Sequence, residues 1–338
     1  MVAGEGVRIC YRLKGGGPDL DPHGALHRGG GIKSAAYAHL EVVGSYGRAW
    51  RRERSKMSVL RLASTYEELG FFALSFVPVA TGPVESAAKA ARIFRPKWAT
   101  PSASRPFEED REALLAYSHG GILSAQWLPR LFAEKADVHS LLRVAAKTPF
   151  EELGAHAGIE PYAYATMRGS DSRLTELLLC DMALALTSFE RDVGPILEKR
   201  RAACVPSVEA ALVELGAIVP RLQCVEPTLA GMLGVSGRVF PGPEGPTIYV
   251  GLADAEPSSA AREAALLALH ELAVFLANDA YSWAERAAID AVSVLVRGTA
   301  FEADHARRLA RFDLSMLPKA GACLELAGHV VDALRQKD

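Results

Sequence analysis

What the chain lacks narrows the field first. Its five cysteines (Cys10, Cys180, Cys204, Cys224 and Cys323) are odd in number, scattered and free of any CxxC pair. That argues against a disulfide scaffold or a cysteine-based zinc site and suits a reducing cytoplasm, the expected location. No apolar run has the length of a membrane span: Phe71–Ala80 covers ten residues, and the leucine-rich stretch near Leu177 is broken by Glu176 and Asp181. No apolar stretch of signal-peptide length follows the first basic residues, so no membrane partner is expected. Net charge is almost absent, 38 Lys and Arg against 40 Asp and Glu, so no global field draws nucleic acid or anionic lipid. Gly-rich phosphate loops of the GxGxxG or GxxxxGK[ST] type, a GxSxG elbow and a Cys/His cluster are all missing.

What is present is a hydrophobic content of 49% over 338 residues, ample for a large core and, at roughly 100–200 residues per domain, for two or three domains. Residues 1–56 differ from the rest: they hold 11 of the 29 glycines and ten basic against five acidic side chains. Arg48, Arg51, Arg52 and Arg54 are their densest basic part. A glycine-rich, aperiodic stretch cannot offset its ordering entropy by burial. It is read as a disordered leader, or as sequence upstream of a start at Met57; the competing reading is a basic arm for nucleic acid.

From Met57 the texture is helical. Residues 57–136 form a helical region of unknown role, with a strand expected over 73–80 and helices over 83–94 and 107–117. Residues 137–173 hold three short helices: one capped by Asp137, one opened by the capping box Thr148-Pro149-Phe150-Glu151, and one opened by Pro161. Connecting helices over 174–206 (174–191 and 195–201) lead to a C-terminal unit, 207–338. There Ser207 is expected to cap a helix ending at Gly216, and strands are expected at 217–219 and 247–252. Ser258 or Ser259 is expected to cap an apolar helix over 262–277, with another helix near 285–296. The fold class is therefore mainly α, with an α+β C-terminal half.

Two segments carry family likeness. Thr148–Gly169, with Glu151, Glu152, Leu153, Gly158, Ile159, Tyr162, Arg168 and Gly169 at matching places, resembles the helix-turn-helix of XRE-type repressors. That resemblance implies a three-helix unit, with DNA as a partner through Tyr162 and Arg168. The recognition helix Pro161–Met167 is poor in the polar side chains that read base edges, and five anions outnumber four cations over 137–173.

His270-Glu271-Leu272-Ala273-Val274 lies between the extended Thr247–Leu252 and a helix with Ala284-Glu285-Arg286-Ala287-Ala288. Over 207–297 this order is similar to the ImmA/IrrE metallo-endopeptidases, which are often fused behind an XRE-type unit. The resemblance implies a zincin-like domain with zinc as cofactor, His270 and Glu285 as metal ligands and Glu271 as general base. Val274 stands where the second histidine falls, which leaves the ligand set incomplete. His305 and His119 read as ordinary solvated helix residues rather than replacement ligands.

The expected function is thus non-catalytic: a degenerate metallopeptidase cleft holding a peptide or protein segment, in regulation or in a peptide-modifying pathway. Thr247, Ile248, Tyr249, Val250 and Val274 are the candidate peptide-binding residues. An active zinc endopeptidase and an XRE-type regulator are the alternatives.

Overall fold

The computed structural model describes residues 59–74 and 125–336, except 135, 169–171, 254–255, 280, 312–313 and 316. The expected leader, most of the strand at 73–80, the helices at 83–94 and 107–117, and His119 lie outside these residues. The described fold is mainly helical around one small mixed sheet.

The sheet is built from β1 (Arg61–Leu62), β2 (Thr228–Leu229), β3 (Gly237–Phe240) and β4 (Thr247–Val250), in the order β1-β2-β4-β3. β1, β2 and β4 run parallel, and β3 lies antiparallel to β4 with Gly237 opposite Val250 and Phe240 opposite Thr247. Side chains alternate across a strand, and here the alternation feeds two separate cores. Tyr249 and Phe240 enter one, with Phe71, Phe72, Trp127 and Phe189; Ile248 and Val250 enter the other. The sheet is a septum with helices on both sides.

On the first side sits α1 (Thr65–Leu74), so Ala73 and Leu74 end a helix rather than begin the expected strand. Beside it lie α2 (Val138–Ala145), α3 (Phe150–Leu153) and α4 (Pro161–Met167), followed by α5 (Arg173–Ser188). Asp137 caps α2 by accepting from the Ser140 N–H (3.2 Å) and hydroxyl (2.7 Å). Pro161 opens α4, where the Glu160 carboxylate accepts from the N–H groups of Tyr162 and Ala163. Gly158 turns between α3 and α4 at φ +92°, a conformation that strains other residues. The capping box does not form: Pro149 flanks α3, and the Phe150 N–H donates to Glu176 of α5 (2.8 Å), a carboxylate 26 residues away.

α6 (Gly194–Ile218) is one 25-residue helix where two shorter ones and a strand are expected. Five residues of π-helix, Phe189–Val193, join it directly to α5. Pro206 lies inside it without ending it, because the carbonyl it cannot pair, that of Ala202, falls on the exposed face where water serves. Ser207 is therefore mid-helix, and Ala217 closes the helix rather than opening a strand. Leu197 of α6 packs in the first core and Val208, Leu212 and Leu215 in the second, so this helix ties the two together.

The second core is centred on α7 (Pro257–Ala277), whose residues 260, 261 and 263–273 are all buried. A helix apolar on every side belongs in an interior. It begins with Pro257 in the first turn after Glu256, upstream of the expected serine caps, and ends at Asn278, which takes the left-handed conformation (φ +43°). Around it pack α8 (Tyr281–Val296), α9 (Glu302–Leu309) and α10 (Leu324–Arg335). Among the described residues no helix is long and apolar enough to cross a membrane.

Candidate functional site

Along α7 the apolar surroundings are interrupted by His270 and Glu271, both buried. Their partners come from three elements. The first turns of α8 supply Glu285, whose Oε2 lies 2.9 Å from His270 Nε2. The expected metal ligands thus meet, bound to one another. Burial first, then the Arg308 guanidinium, holds the His270 pKa below that of ordinary histidine, against the opposing pull of Glu285.

Glu271 turns the other way, toward β3, where its carboxyl accepts the Val239 N–H. Gly237 makes room: a Cβ there would stand 2.6 Å from the Glu271 Cγ and 2.8 Å from Oε1. Burial, and next the charge of Glu285, push the Glu271 pKa well above the usual carboxylate range, opposed by Arg238 and Arg308.

α9 brings His305 and Arg308, three residues apart and so on one face. Both are buried, His305 at 4% and Arg308 at 3% exposure, which corrects the reading of His305 as a solvated helix residue. Its Nε2 lies 2.9 Å from Ser293 Oγ on α8, and burial lowers its pKa to about 4. The Nδ1 atoms of His270 and His305 are buried with no hydrogen-bond partner among the described residues.

Catalytic zinc needs about three protein ligands and an open position. These residues do not fit it. Val274, one turn after His270, is half-buried against the second core and offers no donor atom. Among the described residues no three His, Cys, Asp or Glu side chains are grouped to hold a metal ion. The buried guanidinium of Arg308 already carries positive charge into the cluster.

The expected peptide-binding strand needs correction as well. β4 is interior to the sheet, hydrogen-bonded to β2 on one side and β3 on the other, so Thr247, Ile248, Tyr249 and Val250 have no free edge for an added strand. Ile248, Tyr249 and Val250 are fully buried. On the outer strand β3, the Val239 N–H is taken by Glu271.

Across the sheet a second charged cluster gathers around α1, in the region where no sequence motif was legible. Glu67 accepts two hydrogen bonds from Arg61 (2.7 and 3.1 Å), one from the Ser64 N–H (2.7 Å) and one from the Tyr249 hydroxyl. Burial raises its pKa, but these donors, Arg61 foremost, bring it below the ordinary carboxylate value. Glu68, 1% exposed, accepts from Arg201 (2.8 Å) and from the N–H groups of Gly231 (2.7 Å) and Met232 (2.8 Å). These contacts pin α1 to the loop after β2 and to α6.

The expected DNA-reading residues divide. Arg168 is exposed just beyond α4, whereas the Tyr162 ring packs 5.7 Å from that of Trp127. Tyr164 is turned inward and donates to the Glu151 carbonyl (2.5 Å). That leaves Pro161, Ala165 and Arg168 as the exposed side chains of this stretch, with Arg168 the single one among them able to read a base edge.

Sequence reasoning missed Arg61, Glu67, Glu68, Arg201, Arg238, Ser293 and Arg308. The one signal within reach was the His305–Arg308 spacing, which sets an arginine on the same helical face as a histidine. Compared with protein-family models, curated proteins and solved structures, the chain matches none.

Proposed function

We propose that the chain is a non-catalytic binding protein that uses a helix pair of metallopeptidase-like order to hold a peptide or protein segment, in regulation or in a peptide-modifying pathway. The observation that carries this reading is the His270–Glu285 contact at 2.9 Å. Two groups that resemble metal ligands serve each other, while Glu271, in the place of a general base, is bound to strand backbone. A base needs reach to a water or substrate proton, and Glu271 is buried at 8% exposure.

With β4 sealed, the binding surface moves to the corner where α7 passes into α8. Val274, Phe275 and Leu276 are half-buried there, and Trp283 is 44% exposed. An exposed tryptophan is the kind of anchor that dominates binding energy.

The test has two arms. Protein purified without chelator or affinity metal should contain far less than stoichiometric zinc by plasma mass spectrometry, and should cleave unstructured peptides no faster than Glu271→Gln. On a peptide array its affinity should fall in Trp283→Glu and persist in Glu271→Gln. Stoichiometric zinc that disappears in His270→Ala would restore the peptidase reading and overturn this one.

A further inference from the structure

Charge inside the α7–α8–α9 cluster must be balanced, because a buried ion without a partner costs several kcal/mol. Glu285 and Glu271 supply acid from two helices, and His270 is kept neutral by burial. Glu263, two turns before Glu271 on α7, is already paired with Arg311 at 2.6 Å. Arg238 lies half-buried on β3, packed over the Phe240 ring at 5.9 Å. The deeply buried cation is Arg308. Its helix is fixed to α8 by the His305–Ser293 contact (2.9 Å) and packs against α7, which sets the guanidinium within electrostatic reach of Glu271 and Glu285.

Resting on the non-catalytic reading above, we infer that Arg308 is the resident cation of this site, a positioning residue that fills the charge-balancing place a divalent metal would take beside Glu271 and Glu285. Two changes then separate the chain from metal binding, and only one of them is Val274. Restoring a histidine at 274 leaves a guanidinium in the same buried cluster as any incoming cation, and like charges in a poorly hydrated interior repel strongly. The arginine therefore acts as a stopper. It also balances the charge that Glu285, and Glu271 when ionised, place between the helices, so the site stays closed without a metal.

The experiment uses the full chain and zinc alone, read by competition with a chromophoric chelator and by plasma mass spectrometry after dialysis. Wild type and Val274→His should hold little zinc. Val274→His combined with Arg308→Met should bind about one zinc per chain, a count that three protein ligands support. Its affinity should exceed that of the single variant by about 10- to 100-fold, the size that outer partners of a metal command. Val274→His with Arg308→Lys, which keeps the charge, should behave like the single variant, as should Val274→His with Arg238→Met.

If Arg308→Met does not fold, Arg308→Gln removes the charge while keeping polar contacts, and the same gain is expected of it. The inference is overturned if Val274→His alone binds zinc as tightly as the double variants. It is equally overturned if the folded double variants gain nothing, or if the Arg308→Lys pair gains as much as the Arg308→Met pair. Stoichiometric zinc in the wild type is a separate result, one that removes the non-catalytic reading itself.

Discussion

On one face of the sheet Glu68 receives three hydrogen bonds, one from a guanidinium and two from backbone, while on the other Glu271 has the fields of Arg238 and Arg308 and, as a smaller influence, the Val239 N–H. Both carboxyls are buried, and burial is the largest influence on each. The difference lies in geometry. The α1 cluster gives each of its buried carboxyls several donors, as expected of a network whose work is to fix elements in place, although burial raises the Glu68 pKa there too and the Arg201 Nε has no partner among the described residues. The α7–α8–α9 cluster has a carboxyl with a raised pKa, two imidazoles with lowered ones and unpartnered Nδ1 atoms. Perturbed groups gathered in this way mark functional sites, or the remains of them.

The largest expected effect lies on the α1 side. Glu68→Ala leaves two N–H groups buried without their acceptor and the Arg201 guanidinium without its counter-ion, holding the Ala63 carbonyl (2.6 Å), and should lower unfolding free energy by about 3–5 kcal/mol in denaturant titration. A loss below about 1 kcal/mol would erase the contrast between the two clusters.

Glu285→Gln should cost less, about 1–2 kcal/mol at neutral pH, because it keeps a polar group at a partly open position and weakens the contact to a neutral imidazole without emptying the site. The same denaturant titration checks it, and a cost matching that of Glu68→Ala would place both clusters in one class.

Glu271→Gln sharpens the comparison through its sign. A carboxyl whose folded pKa is raised contributes stability below its unfolded pKa and loses it as pH climbs through the folded value. The glutamine variant should therefore match wild type in mild acid and become the more stable protein in alkali, seen as crossing melting-temperature curves. Parallel curves would mean that Glu271 is ionised throughout.

The smallest effect belongs to Asp181 on α5, half-buried, with burial alone pushing its pKa up to about 7. Here too the folded value is raised, so the cost develops between the unfolded carboxylate range and about 7. Asp181→Asn should stabilise by about 1 kcal/mol at pH 8, after discounting for its solvent exposure, and by nothing near pH 3.

Much of the helical plan was legible. Pro161, Asp137 and the apolar run before Ala277 each act through local chemistry, by a fixed φ, a short-range cap or an all-round hydrophobic surface, and each appears where the sequence sets it. Glu285 was placed near His270 only through the family resemblance, as a second metal ligand, and the structure brings the two together bound to one another. The errors share a cause. Thr148 lost its capping role to Glu176, a residue distant in sequence, and Pro206 failed to break a helix because its orphaned carbonyl faces water.

Sequence alone determined which residues at position 274 and beside His270 could ligate a metal, since Val274 has no donor in any fold. It also set the balance of apolar and polar residues that makes α7 an interior helix. Only tertiary structure decided that β4 is flanked on both sides, that Glu67 and Glu68 are buried, and that Arg308 reaches the acids of α7 and α8. A strand's neighbours and the burial of a charge depend on segments far apart in the chain, and no local pattern records their meeting.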